Sequence, residues 1–61
     1  MNIYKAARTK AGLTQRGVSE ITTVPLRTIQ DWESGARVPP PYVTRWYLKE
    51  LSEIEKNKKT L

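Results

Sequence analysis

Only Thr23 and Val24 separate the end of one short helical pattern from the start of the next. The earlier pattern begins after Thr14, whose side-chain oxygen suits an N-cap, and runs from about Gln15 to Thr22. The later one opens at Pro25, whose fixed φ suits a first helical position, and runs to about Ser34, where Gly35 is a natural stop. Two helices joined by so tight a turn must cross and pack at once, and this restricts the rest of the chain.

In the first of these helices the inward positions are expected to be Val18, Ser19 and Ile21, with Leu13 before the cap as a staple residue. Gly17 sits inside it at a cost of about 1 kcal/mol relative to alanine. In the second, a 100° step centred on Ile29 sets Pro25, Ile29, Trp32 and Glu33 on one side and Arg27, Gln30, Asp31 and Ser34 on the other. Trp32 therefore belongs to the core.

Upstream, Asn2 can cap a helix that carries Ile3, Ala6 and Ala7 on one face and ends at Gly12 in a left-handed conformation. Downstream, Pro39-Pro40-Pro41 cannot continue a helix interior, so Ala36–Pro39 is a loop. Pro41 then begins a helix that reaches roughly Glu55, with Val43, Trp46, Tyr47, Leu51 and Ile54 on one stripe. Tyr42 and Leu48 fall off that stripe and are expected at the surface. The expected architecture is all-α: a compact bundle of four short helices, the C-terminal one long, with no fifth helix. Its domain spans 1–56, followed by a basic tail at 57–61.

At 61 residues the chain makes one domain, and one of this size buries only about 60% of the surface its unfolded chain exposes. It has neither cysteine nor histidine, so disulfides and thiolate or imidazole metal sites are excluded, and no cofactor is expected. The same absences remove the commonest general base and thiol nucleophile, and no paired carboxylates follow a cleft pattern, so an enzyme is disfavoured. Eleven Lys and Arg against six Asp and Glu give a formal charge of +5. That charge fits either a solvated basic surface or the footprint of a polyanion. No apolar run approaches the ~18–20 residues of a membrane span and no signal peptide opens the chain, so the expected place is the cytosol of a bacterium or a phage-infected cell.

The segment Gly12-Leu13-Thr14-Gln15 … Val18-Ser19 … Val24-Pro25 … Thr28-Ile29 … Trp32-Glu33-Ser34-Gly35 resembles the Cro/repressor-type (Xre-like) helix-turn-helix family of phage repressors. The likeness runs without a gap from about Ala7 to Pro39. It implies a lambda repressor-like DNA-binding domain whose recognition helix is the one at 25–34. Arg8 and Glu33 stand where relatives form a charged pair that ties the first helix to the end of the recognition helix. Gln15 matches a glutamine that contacts a phosphate and braces that helix, while Arg16 and Arg37 are expected phosphate contacts, which position without reading sequence. Arg27 is the expected base reader, since a guanidinium fits the two acceptors of guanine; Thr28 and Gln30 are secondary readers.

Three positions depart from the family pattern. Thr23 stands where a glycine with φ > 0 is usual, at a cost of ~1–2 kcal/mol for a β-branched residue. Leu26 replaces a hydrogen-bonding residue and fits a thymine methyl or a protein partner. Asp31 puts a negative charge on the groove face: either it accepts from a cytosine amino group, or it pairs with Arg27 one turn earlier, or this face no longer binds DNA.

Two functions follow. The first is a sequence-specific regulator that binds double-stranded DNA, a phage or mobile-element repressor acting on a palindromic operator as a homodimer held by Leu48, Leu51 and Ile54 of the C-terminal helix. The second is a protein-binding module on the same scaffold, such as an antitoxin or a phage-encoded inhibitor of the anti-CRISPR type.

Overall fold

A computed structural model describes residues 2–59 as four helices in the order α1 (Ile3–Lys10), α2 (Gln15–Thr22), α3 (Leu26–Ser34) and α4 (Pro41–Lys59). No strand occurs among the described residues. The expected punctuation is in place. The Asn2 side chain accepts from the backbone N–H groups of Tyr4 and Lys5, and that of Thr14 accepts from Gly17, so each cap satisfies donors that a helix start leaves open. Gly12 (φ 74°) and Gly35 (φ 86°) take the left-handed conformation that lets α1 and α3 stop abruptly.

Pro25 lies one position earlier than expected. It is the N-cap of α3, with extended ψ of 142°, and its carbonyl accepts from Ile29. At the other end, α4 extends past Glu55 to Lys59, so helix occupies most of the stretch expected as a tail; Thr60 and Leu61 lie outside the described residues, as do the side chains of Lys58 and Lys59.

The core forms where α1 packs on α3 and α4 while α2 packs on α3. Its largest fully enclosed side chains are Val18, Ile29, Tyr47 and Leu51; Ala11 is enclosed as well, and Tyr4 and Trp32 are nearly so. Tyr47 stands among the rings: the Trp32 ring meets it edge-on at 5.1 Å and the Tyr4 ring lies 6.1 Å away, spacings at which aromatic pairs attract. Tyr4 keeps its hydroxyl satisfied against Thr44 Oγ1 at 3.0 Å, which links α1 to α4.

Several inward faces differ from the sequence expectation. On α1 the inward line is Tyr4 and the half-buried Ala7, continued by the buried Ala11 just past the helix end, and Ile3 is exposed. On α2 Thr22 rather than Ile21 is buried, because its hydroxyl donates to Val18 O at 2.7 Å and hides its own polarity. On α4 Trp46 remains partly exposed, whereas Leu48, expected outside, packs against the core together with Val43 and Ile54. Leu51 is 1% exposed and is used entirely by the chain's own core, which corrects its assignment to a surface that meets a second copy.

Candidate nucleic-acid interface

The α2–α3 turn is closed by side chains rather than by glycine. Thr23 adopts φ 64°, ψ 9°. Ser19 Oγ donates to Val24 O at 2.7 Å, and Val24 N donates to Thr22 Oγ1 at 3.3 Å. The small side chain of Ser19 thus has a polar task besides leaving room for the crossing. The left-handed Thr23 is held by its neighbours at the cost expected for a β-branched residue, ~1–2 kcal/mol.

Behind α3 lies a charged clamp. Arg8 presents its guanidinium edge-on to Glu33: Nε donates to Oε2 at 2.7 Å and Nη2 to Oε1 at 3.0 Å. Its remaining terminal nitrogen donates to Leu13 O at 2.9 Å, just before the cap of α2. Gln15 Nε2 donates to Glu33 Oε1 at 3.1 Å, so one carboxylate gathers α1 and α2 at the end of α3. The Glu33 side chain is only 5% exposed and that of Arg8 15%. Burial by itself would push the Glu33 carboxyl up; the hydrogen bonds from Arg8 and Gln15 and the arginine charge outweigh it and hold the group below its ordinary value. The bond to Glu33 likewise raises the Arg8 guanidinium, against the opposing effect of burial. Asn2 adds a second tie, since Nδ2 donates to Trp32 O at 2.9 Å.

With its inner face fixed in this way, α3 turns a polar face to solvent. Arg27, Gln30 and Ser34 are exposed, while Leu26, Thr28 and Asp31 are half-buried at its edges. Arg16 is exposed on the first turn of α2. Gln15 uses one of its two amide hydrogens on Glu33 and retains the other. Arg37 comes to this face from the loop after α3, because its backbone N–H donates to Asp31 O at 3.3 Å. Asp31 then stands between two cations: Oδ1 is 3.6 Å from Arg27 Nε and Oδ2 is 3.7 Å from Arg37 Nε. The pairing with Arg27, one of the alternatives open at the sequence level, is formed; the approach of Arg37 had no periodic signal to announce it. Beside this cluster lies an open cleft of about 530 Å³, walled by Trp32, Val38, Pro39 and Val43.

Of the residues expected at a subunit contact, Leu48 and Ile54 are half-buried on the core. The exposed apolar side chains lie elsewhere, at Val38 in the loop, Tyr42 and Trp46 on the first turns of α4, and Ile3 and Ile21. Among the described residues no group of His, Cys, Asp or Glu converges to hold a metal, and no helix is long and apolar enough to cross a membrane.

Comparison with known proteins finds no match among curated proteins or solved structures. One family matches, described as helix-turn-helix, over residues 5–46, from α1 through the first turns of α4. That span contains the clamp, the turn and the whole of α3, and it covers more than two-thirds of the 61 residues. The chain belongs to the helix-turn-helix family, of the Cro/Xre type, and is a DNA-binding regulator.

Proposed function

We propose that the chain is a sequence-specific regulator of transcription, a phage or mobile-element repressor that binds a palindromic operator in double-stranded DNA as a homodimer. The observation that carries this is the contrast between the two faces of α3. One is locked to α1 and α2 through Glu33, and the other offers Arg27, with 86% of its side chain exposed, beside Gln30 and Ser34. A rigid helix with a free polar face is what insertion into a major groove requires. In that pose Arg27 reads guanine through its two acceptors, Gln30 reads adenine, and Leu26 and Thr28 meet a thymine methyl or a phosphate. Arg16, Arg37 and the remaining amide hydrogen of Gln15 take phosphates and set the register.

One α3 presents too few side chains to select a site in a genome, so two copies reading half-sites about 34–36 Å apart complete the reader. With Leu51 buried, the support for a second copy on α4 comes from Tyr42, 75% exposed, and Trp46, 40% exposed. The same surface, with Val38 at 79%, favours the second reading, a protein-binding module of the antitoxin or anti-CRISPR type. Selection of bound duplexes from a random pool tests the first reading. Recovery of a two-fold motif supports it, and absence of enrichment at low salt refutes it. Salt separates the two, because binding through phosphates weakens steeply with salt and an apolar protein contact does not.

A further inference from the structure

We propose that Asp31 is a specificity-determining residue of the α3 surface, which holds Arg27 and Arg37 back from phosphates that come without the right base; this rests on the DNA-binding reading above. A carboxylate on a groove-facing surface repels the polyanion, so its presence there calls for a physical reason. Its placement supplies one. The Asp31 side chain is 22% exposed, whereas those of Arg27 and Arg37 are 86% and 79% exposed, so the carboxylate is set into the surface with both cations reaching past it. Each carboxylate oxygen faces a different guanidinium, at 3.6 and 3.7 Å. These distances are beyond hydrogen-bonding range, so attraction between charges restrains the arginines without locking them. The loop is built to bring Arg37 there. After the left-handed turn at Gly35, Ala36 N donates to Ser34 Oγ, Ser34 Oγ donates to Asp31 O, and Arg37 N donates to the same carbonyl.

Random DNA and a cognate site then present different balances. On random DNA both arginines can only turn to phosphates, which leaves the Asp31 carboxylate unpaired against a negative surface and reduces two cations to the effect of one. At a cognate guanine, Arg27 can donate from its two terminal nitrogens to O6 and N7 while Nε still faces Asp31 Oδ1. The carboxylate stays paired and the guanidinium is already oriented. Asp31 thus penalises phosphate-only docking more than base reading.

Asp31→Asn keeps the size of the side chain and the backbone contact to Arg37, so it isolates the charge. Neutralising one further phosphate should steepen the salt dependence on random duplex by about 0.9 in log–log slope, which at 0.15 M salt corresponds to about a fivefold gain in affinity. The duplex recovered by random-pool selection should gain less, so the ratio of cognate to random affinity falls. Asp31→Glu, which keeps the charge, should retain the parent slope, and in an Arg37→Gln background the gain from Asp31→Asn should shrink. Circular dichroism reports whether each variant is folded. A folded Asp31→Asn with unchanged slope and ratio, or with equal losses on both duplexes, overturns the proposal while leaving the DNA-binding reading intact. A parent protein with no affinity for any duplex at low salt refutes that reading and this one with it.

Discussion

Removing Arg8 should unfasten the recognition helix before it touches any surface residue. Arg8→Ala deletes the two-pronged contact to Glu33 and the bond to Leu13 O, and it leaves a carboxylate that is 5% exposed with Gln15 as its one remaining side-chain donor among the described residues. Breaking one side of a buried pair is worth about 3–5 kcal/mol; partial access of water to Arg8's end of the pair lowers the expectation to about 2–4 kcal/mol. A domain of this length has a total stability of roughly 3–9 kcal/mol, so the loss is a large share of the whole. Each kcal/mol moves the melting midpoint of so small a domain by about 4–8 °C. Glu33→Ala should lose a similar amount, since it strands the Arg8 guanidinium. The double variant should lose at least about 1 kcal/mol less than the two singles together, because no unpaired charge is left behind. Urea unfolding followed by circular dichroism measures all four proteins. Losses below about 0.5 kcal/mol that simply add would show that the clamp contributes nothing and that α3 is held by apolar packing alone.

Further outcomes follow from the same contacts. Because the Glu33 carboxyl is held below its ordinary value, its contribution is complete above about pH 4.3 and is lost as pH falls through the lower folded value; Glu33→Gln should flatten acid unfolding over that range. The Tyr47 hydroxyl is buried without a hydrogen-bond partner among the described residues, and burial, with the Glu33 charge, pushes it up to about 12. Tyr47→Phe should therefore stabilise the fold by about 1 kcal/mol near neutral pH. It should also remove the loss of stability that sets in above about pH 10, where the unfolded phenol ionises and the folded one does not; an unchanged urea midpoint would show that the hydroxyl is satisfied. Thr23→Gly relieves the left-handed backbone and should raise stability by about 0.5–1 kcal/mol, and a loss would mean that the threonine side chain is worth more than its strain.

What could be read from the chain follows the reach of each interaction. The caps at Asn2 and Thr14 and the stops at Gly12 and Gly35 act within a few residues, so their chemistry is visible in sequence, as are the outward places of Arg27, Gln30 and Ser34 on α3, though not the half-burial of Asp31. The inward faces of α1 and α4 were decided at longer range. Tyr4 is buried because Thr44, forty positions away, satisfies its hydroxyl, and it forms a stripe with Ala7 and Ala11 that competes on equal terms with Ile3 and Ala6 in any local window. On α4, Trp46 and Tyr47 are neighbours on one apolar stripe, and only the positions of the Tyr4 and Trp32 rings select Tyr47 for the centre. Thr22 reads as a surface residue in sequence, because its polarity disappears only once Val18 O accepts its hydroxyl. Periodicity turns Glu33 inward, but its pairing with Arg8 is implied by family resemblance alone, while Arg37 reaches Asp31 across a glycine turn that no helical spacing describes.

The central claim, that α3 reads bases while its surroundings grip phosphates, is tested most directly by comparing Arg27→Ala with Arg37→Ala on a selected duplex and on random duplex across a salt series. The account predicts that Arg37→Ala weakens both duplexes alike and flattens the salt slope by about one unit. Arg27→Ala should instead cost about 1–3 kcal/mol more on the selected duplex than on random duplex. Equal losses from both variants on both duplexes would contradict the claim, because the exposed face of α3 would then be gripping DNA without reading it.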